Sequence, residues 1–343
     1  MVELFGGFAD AIARMWDVLG PHADRSNGFL AFVVSSLVNM ARNYFWFVLI
    51  GMAIWALFVR KRGESLSPLN ALRYLLPASF YTHRSVRIDA MMVPISWILN
   101  FTVFAALALG AAVVQLWLVQ SFGHMPWAVS AGWMAVTLQV VFTLLGTDLG
   151  RFAWHYQGHF VPFFWEFHKG HHSAEVLHPV FIRTHPVDMF IRLAYMNVGG
   201  GLIGGGLMYL AGVDASPMAA SWVIVIRALS HLAEEFEHSH VVFSFGKTLD
   251  NIFYPPSFHR VHHSALLHHR DKNLGLTGGL CLWDKLCGTL YVPTRDEHIV
   301  FGSSLEELGD HNPHRTLRGF LCGPFLEAFR TLRPRRATAA LET

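Results

Sequence analysis

Histidine is out of proportion in this chain. Of its 21 histidines, 15 fall between His155 and His269. Every imidazole carries a donor and an acceptor to satisfy, so such a density is costly to bury unless the rings share a task. Their spacing names one. His155-Tyr-Gln-Gly-His159 is an HxxxH, and residues four apart share a helix face, so both rings can reach one ion. His168-Lys-Gly-His171-His172 and His259-Arg-Val-His262-His263 are two copies of HxxHH, whose first, fourth and fifth positions converge on one face. A looser group holds His231, Glu234, His238 and His240, and His268, His269 and Asp271 follow the last box.

The three tight motifs already supply eight imidazoles. A catalytic zinc takes about three protein ligands and a water, so eight is too many for one ion and suits two. Imidazole binds iron, zinc, copper and nickel alike, so the ligand type leaves the metal open. None of the three tight motifs carries the Glu-x-x-His carboxylate of a ferritin-type site. Cys281, Cys287 and Cys322 form no CxxC pair, which argues against a disulfide framework and fits a reducing, cytosol-facing C-terminal region.

The elements that hold these boxes are apolar. The 343 residues are 53% hydrophobic and 15% charged, against roughly 25% charged in an ordinary soluble domain. Apolar blocks run over about residues 28–59, 90–122 and 127–145, and a fourth at 193–226 is interrupted at Asp214, Ser216 and Pro217. A spanning helix needs ~20 such residues. The fourth block, with Gly199–Gly201 and Gly204–Gly206, suits close helix packing or a bent hairpin whose two arms enter and leave on one side. The third runs on without a break into Asp148 and His155, so its helix is expected to pass beyond the membrane surface.

Charge sets the orientation. Arg60, Lys61, Arg62, Arg73, Arg84 and Arg87 lie between the first two blocks, and residues 123–126 hold no Lys or Arg. The positive-inside rule puts the former, and by counting spans all the histidine boxes, on the cytoplasmic side. The expectation is an all-α integral membrane bundle of about four spans under a cytosolic, histidine-rich helical cap. Its divisions are an amino-terminal segment 1–27 without signal-peptide character, spans over 28–146, a histidine-box region 147–300 containing the hairpin, and a basic tail 301–343. That tail is amphipathic, with Arg315, Arg318, Arg330, Arg333, Arg335 and Arg336, and reads as a solvated or membrane-surface helix drawn to anionic head groups. A net charge of +2 without a basic stripe excludes a nucleic-acid partner.

The order HxxxH, HxxHH, His, HxxHH after hydrophobic spans resembles the fatty acid hydroxylase/sterol desaturase superfamily of membrane di-iron enzymes. The likeness extends to Trp165-Glu-Phe-His-Lys-Gly-His-His-Ser173 with Arg183-Thr-His-Pro186-Val-Asp188, and to Phe258-His-Arg-Val-His-His-Ser264 with Asp271-Lys-Asn-Leu-Gly275 and Leu282-Trp-Asp-Lys-Leu-Cys-Gly-Thr289. It covers about residues 140–292. The resemblance implies iron ligation by His155, His159, His168, His171, His172, His238, His259, His262 and His263. Three positions depart from the usual pattern: Tyr156 where many members have Arg, Glu234 where some have another histidine, and Leu274 in place of an aromatic.

Glu234 is a possible ligand or an orienting partner. His231, His185, His269 and Asp271 are further candidates for orienting a ligand. Asp148, two turns before His155, could accept a ligand N–H. His178, His240 and His268 read as bystanders. Phe160, Phe163, Phe164 and Trp165 read as core or interfacial anchors.

The resemblance implies two ferrous ions, O2 as co-substrate and a lipid arriving from the bilayer, with hydroxylation favoured over desaturation. Zinc is a possible substitute metal. No dinucleotide, haem or flavin motif occurs, so electrons are expected from a separate donor protein. A zinc-dependent membrane hydrolase is the alternative. A metal-handling protein fits less well, since the blocks at 90–122 and 127–145 carry no mid-span histidine or carboxylate.

Overall fold

A computed structural model describes residues 45–54, 67–99, 110–122, 127, 132–179, 181–214, 216–294, 297–302 and 312–332. The amino-terminal segment 1–27, the Arg60–Lys61–Arg62 cluster and the tail beyond 332 lie outside them. The described residues are helical, with two isolated bridges and no strand, as the apolar blocks imply. In chain order the helices are α1 (Phe45–Ile54), α2 (Pro68–Leu75), α3 (Ala78–Thr82), α4 (Arg84–Leu99), α5 (Gly110–Phe122), α6 (Trp133–Phe160), α7 (Pro162–His172), α8 (Pro186–Val198), α9 (Gly205–Leu210), α10 (Pro217–Glu234), α11 (Pro256–His262), α12 (Leu282–Cys287) and α13 (Leu317–Thr331). A π-helical turn, Gly199–Gly204, joins α8 to α9.

α6 is the axis. Its 28 residues reach roughly 42 Å, and no proline interrupts the run from Trp133 through His159. Its first half is apolar and its second half carries Asp148, Arg151, His155 and His159, so one rigid rod joins the apolar bundle to the histidines. Val161 adopts an extended conformation ahead of Pro162, which breaks the rod and starts α7 at its favoured first position.

The segment α8–π–α9 runs antiparallel to α6, with Gly150 against Tyr195 and Gly146 against Gly199 and Gly204. The chain then reverses, and α10 returns alongside α6 from Ala219, packed on Val136 and Val140, to Glu234 beside Arg151. Gln139 steadies the reversal by accepting from Ser216 N at 2.8 Å. The contact at Gly146 is backbone on backbone. A Cβ there would overlap the Gly199 carbonyl oxygen and stand 2.7 Å from Gly204 N. The buried Gln115 amide bridges the same seam, donating to Gly200 O (2.7 Å) and Thr143 Oγ1 (3.0 Å). Gly146→Ala is therefore expected to pry the two segments apart and cost about 1–3 kcal/mol, read as a lowered Tm in detergent. Gly206→Ala, where a Cβ would meet nothing within 4 Å, is its neutral control.

Among the described residues one helix, α6, is long and apolar enough to cross a membrane. The expected second span is represented by α4 and α5, with residues 100–109 outside the description, and the first by α1 alone. The bundle nonetheless turns large apolar side chains outward: Trp133, Met134, Leu210, Ile224 and Leu229 are each more than 60% exposed. At the opposite end α7, α11, α12 and their loops form a cap whose core is Tyr254, Phe258 and Cys281. α13 lies against α4 and α7, with Phe320 packed on Ile88 and Met92.

Candidate metal centre

All nine histidines singled out by the box pattern meet at the junction of bundle and cap, and they form two groups. His155 and His159 (α6), His168 and His172 (α7) and His262 (α11) make a group of five. His171 (α7), His238 in the turn after α10, and His259 and His263 (α11 and its cap) make a group of four. Within each group the ligand nitrogens lie within 4.8 Å of one another. Each HxxHH box is divided, contrary to the expectation that its three rings share one face. The α7 box sends its i and i+4 rings to the five-histidine group and its i+3 ring to the other. The α11 box does the reverse.

Backbone and carboxylate acceptors set which nitrogen points inward. His155 Nδ1 donates to Leu274 O (2.7 Å), His171 Nδ1 to Arg183 O (2.8 Å) and His262 Nδ1 to Lys272 O (2.9 Å). His168 Nδ1 meets Asp188 Oδ2 at 3.0 Å, and His159 Nδ1 meets Asp271 Oδ1 at 3.1 Å. A carbonyl accepts only, so these rings hold the proton on Nδ1 and present a bare Nε2 lone pair to the interior.

The Nε2 atoms then face each other closely. His172 is 3.2 Å from His168 and 3.1 Å from His262. His238 is 3.2 Å from His171, 3.1 Å from His263 and 3.2 Å from His259, and His263 to His259 is 3.0 Å. Protons satisfy such a set poorly, since one N–H on His238 can serve one of three neighbours. Nitrogens bound to one ion at ~2.1 Å, at right angles, stand about 3.0 Å apart. The donor set therefore fits two cations held by imidazole.

Residues 140–289 match the fatty acid hydroxylase family, and every one of the nine lies inside that stretch. The chain carries a fatty acid hydroxylase domain. Similar proteins include human alkylglycerol monooxygenase, 26% identical over 193 residues that make up 55% of this chain and 37% of the relative. The ornithine lipid hydroxylase of Rhizobium tropici is 30% identical over 168 residues, 49% of this chain and 46% of the relative. The alkylglycerol monooxygenase of Caenorhabditis elegans is 28% identical over 162 residues, 47% and 29% respectively. The matches thus span less than half the length of these curated relatives. No solved structure matches.

Of the other residues singled out in the domain, Asp271 touches a box histidine, His159, and adopts a left-handed φ of 54° to do so. The rest are placed elsewhere. Asp148 accepts from Leu280 N (2.9 Å) and Trp283 Nε1 (2.7 Å), tying α6 to the closing signature instead of to an imidazole. Glu234 binds Arg151 (3.0 Å), Arg227 (2.8 Å) and His231 (3.2 Å). Burial alone would raise its pKa, but the two arginines hold it well below the usual carboxylate range. It belongs to neither histidine group and is an ion-pair anchor instead of a ligand to them. His185 caps α8, its Nδ1 accepting from Val187 N (3.2 Å). His269 meets Glu297 (3.3 Å), whose carboxylate is also taken by Thr294 and Tyr291, a loop clamp next to exposed His268.

Sequence reasoning passed over the supports. Asp188, which closes the Arg183-Thr-His-Pro186-Val-Asp188 stretch, is 3% exposed and accepts from Trp154 Nε1 (2.8 Å) while holding His168. Asp284 accepts from Leu274 N (2.8 Å), Gly275 N (2.7 Å) and Thr289 Oγ1 (2.6 Å), aiming the Leu274 carbonyl at His155. Arg183, buried among Asp89, Ser85 and Ser173, fixes the carbonyl that takes His171. Nearby acidic or Arg residues in the motif could have signalled these roles, but the carbonyls they aim carry no residue signature.

Burial favours the neutral form in six of the rings. The His171 and His262 imidazoles are pushed down to about 3, and those of His172, His238, His259 and His263 lie well below the usual range, desolvation being the main cause in every case. In those six rings the neutral, ligating form is favoured, so none of them has to give up the extra proton of an imidazolium when an ion binds.

The groups differ in their anchoring. Four of five rings in the first have an Nδ1 acceptor, against His171 alone in the second; Nδ1 of His238, His259 and His263 is buried without a partner among the described residues. Such outer partners are typically worth about 10–100-fold in metal affinity. Graded chelation is expected to remove the ion of the four-histidine group first, seen as a plateau near one equivalent of metal; simultaneous loss of both would contradict it.

A cleft of about 200 Å³ opens onto this centre, with His159, His172, His262, His263, Trp165 and Leu266 in its walls. It borders both groups.

Proposed function

We propose that the chain is an O2-dependent lipid hydroxylase of the membrane, its nine histidines holding two ferrous ions. The carrying observation is the pair of imidazole groups with inward-facing Nε2 atoms, built within a stretch that matches the fatty acid hydroxylase family. The matched relatives named for alkylglycerol and ornithine lipid make a polar-headed lipid with long alkyl chains the substrate class that fits.

When bound, the two irons would supply the electrons and open coordination positions that activate O2 for attack on an unactivated C–H bond. The chain's own groups do the rest. Leu274, Arg183 and Lys272 carbonyls and the Asp188 and Asp271 carboxylates hold five rings in one tautomer and orientation. Trp165 and Leu266 give the cleft apolar walls, and its volume suits a short methylene segment beside the metals while the remaining lipid stays outside. The outward-facing apolar side chains of α6, α9 and α10 support a bundle seated in the bilayer, and the arginine count between the first two blocks supports boxes that face the cytoplasm. Electrons would come from a separate donor protein.

The test compares iron-loaded protein in lipid vesicles with a chemical reductant, with and without O2. A lipid heavier by one oxygen should form only with both. Product formation undiminished without O2 would sink the oxygenase reading in favour of a hydrolase, and a product lighter by two hydrogens would replace hydroxylation by desaturation.

A further inference from the structure

α13 is only half covered. Thr316 caps its start, the hydroxyl accepting from Gly319 N at 3.1 Å. Phe320, Pro324 and Ala328, spaced by four, are buried against the rest of the fold. The adjoining sector is apolar too, yet it faces outward: Phe325 is 43% exposed, Leu326 66%, Phe329 61% and Leu332 63%, and Cys322 is exposed between them. An apolar sector this wide on one helix is not left to water without a reason.

Charge and position say what covers it. From residue 312 to 343 the sequence holds six arginines against Glu327 and Glu342, with no Asp or Lys. Arg315 pairs with Glu175 and Arg330 with Glu327, so the excess at Arg318, Arg333, Arg335 and Arg336 gives the segment its positive sign. α13 also sits at a definite height. His185 Nε2 lies 3.1 Å from Leu321 O, and the Phe325 ring is 5.6 Å from His185 and 5.2 Å from Phe167. His185 is the cap from which the arm α8–π–α9 departs; its 13, 6 and 6 residues extend roughly 37 Å to the reversal. α13 thus lies at the end where the apolar bundle gives way to the cap.

We propose that α13 lies in the plane of the membrane surface, its Phe325–Leu326–Phe329 face among the acyl chains and its arginines on anionic head groups. This rests on the bilayer placement argued above. A helix with one apolar face and a basic flank takes that position, its apolar face sunk about 5–10 Å into the boundary between head groups and acyl chains. Its other face backs α7, where a Cβ on Gly170 would already crowd Phe320, so the helix that supplies His168, His171 and His172 is held at a fixed height over the bilayer.

A nitroxide on Cys322 reads the depth directly. Cys281 is buried, so Cys287→Ser leaves one exposed thiol. In phosphatidylcholine vesicles containing phosphatidylglycerol, the label should collide with O2 and be shielded from a water-soluble nickel chelate. Removing phosphatidylglycerol should make it shallower. Leu326→Glu with Phe329→Glu, both at exposed positions, should bring it into water. A second label at Leu202→Cys, on the outward face of the hairpin, separates the two readings. Leu202 deep and Cys322 in water would overturn the placement of α13 alone, whereas Leu202 in water would overturn the bilayer reading beneath it.

Discussion

His172→Ala should leave the purified protein with at most one iron and no measurable turnover. Its Nε2 lies 3.2 Å from His168 and 3.1 Å from His262, closing the five-histidine group, and its ring stacks on His263 of the other group at 4.6 Å and 24°. Truncation removes a donor nitrogen and the packing that separates the two sets. The loss should exceed the roughly 10–100-fold seen when only an outer partner is removed. His178→Ala is the matched control. His178 is buried too, but it stacks on Phe181 at 4.5 Å, accepts from Phe181 N and belongs to neither group. Iron content by elemental analysis, compared between the two variants, checks the claim; wild-type loading in His172→Ala would refute the role assigned to that ring.

The convergence of the histidines was legible in the sequence because the short spacing within a box survives folding: every box histidine reaches one of the two groups. Their division was not. Successive helix residues turn by about 100°, so an i+4 ring drifts about 40° one way from i and an i+3 ring about 60° the other. At the α7 box this parts His168 and His172 from His171, and at α11 it parts His259 and His263 from His262. Which side each falls on depends on how α7 and α11 cross, a tertiary fact.

The outer supports were hidden for a different reason. Three of the five Nδ1 acceptors are backbone carbonyls, at Leu274, Arg183 and Lys272, and any residue offers one. Asp148 shows the converse. Seven residues from His155 it keeps the right helix face, but Leu280 N and Trp283 Nε1 claim its carboxylate. Helix periodicity restricts which partners are possible, and packing chooses among them. The same limit applies to Glu234, whose chemistry suits a ligand and whose neighbours Arg151 and Arg227 make it an ion pair. In the bundle, glycine spacing pointed to close packing, and Gly146 and Gly199 supply it; the π turn that lets them meet had no sequence period of its own.

Arg183→Met should lower both stability and metal content, although Arg183 touches no ion. Its side chain is 3% exposed and ties its loop to two segments: Nε to Asp89 and Nη2 to Ser85 O (2.6 Å) and Ser85 Oγ (2.7 Å), all in α4, and Nη1 to Ser173 Oγ (3.1 Å) after α7. Its own carbonyl holds His171 Nδ1, the one Nδ1 acceptor of the four-histidine group among the described residues. Burial already pushes the Asp89 carboxyl up to about 6 with the guanidinium beside it, so removing Arg183 strands a buried acid. Breaking such a pair from one side costs about 3–5 kcal/mol. Arg183→Lys should recover little, because one ammonium cannot span Asp89, Ser85 and Ser173 together. Double replacement, Arg183→Met with Asp89→Leu, removes both charges and should regain much of the lost stability. It should not regain tight metal binding in the four-histidine group, since the loop carrying the Arg183 carbonyl remains untethered. Thermal melts with iron content across the three variants separate the two effects, and recovery of both together in the double variant would show that Arg183 acts on folding alone.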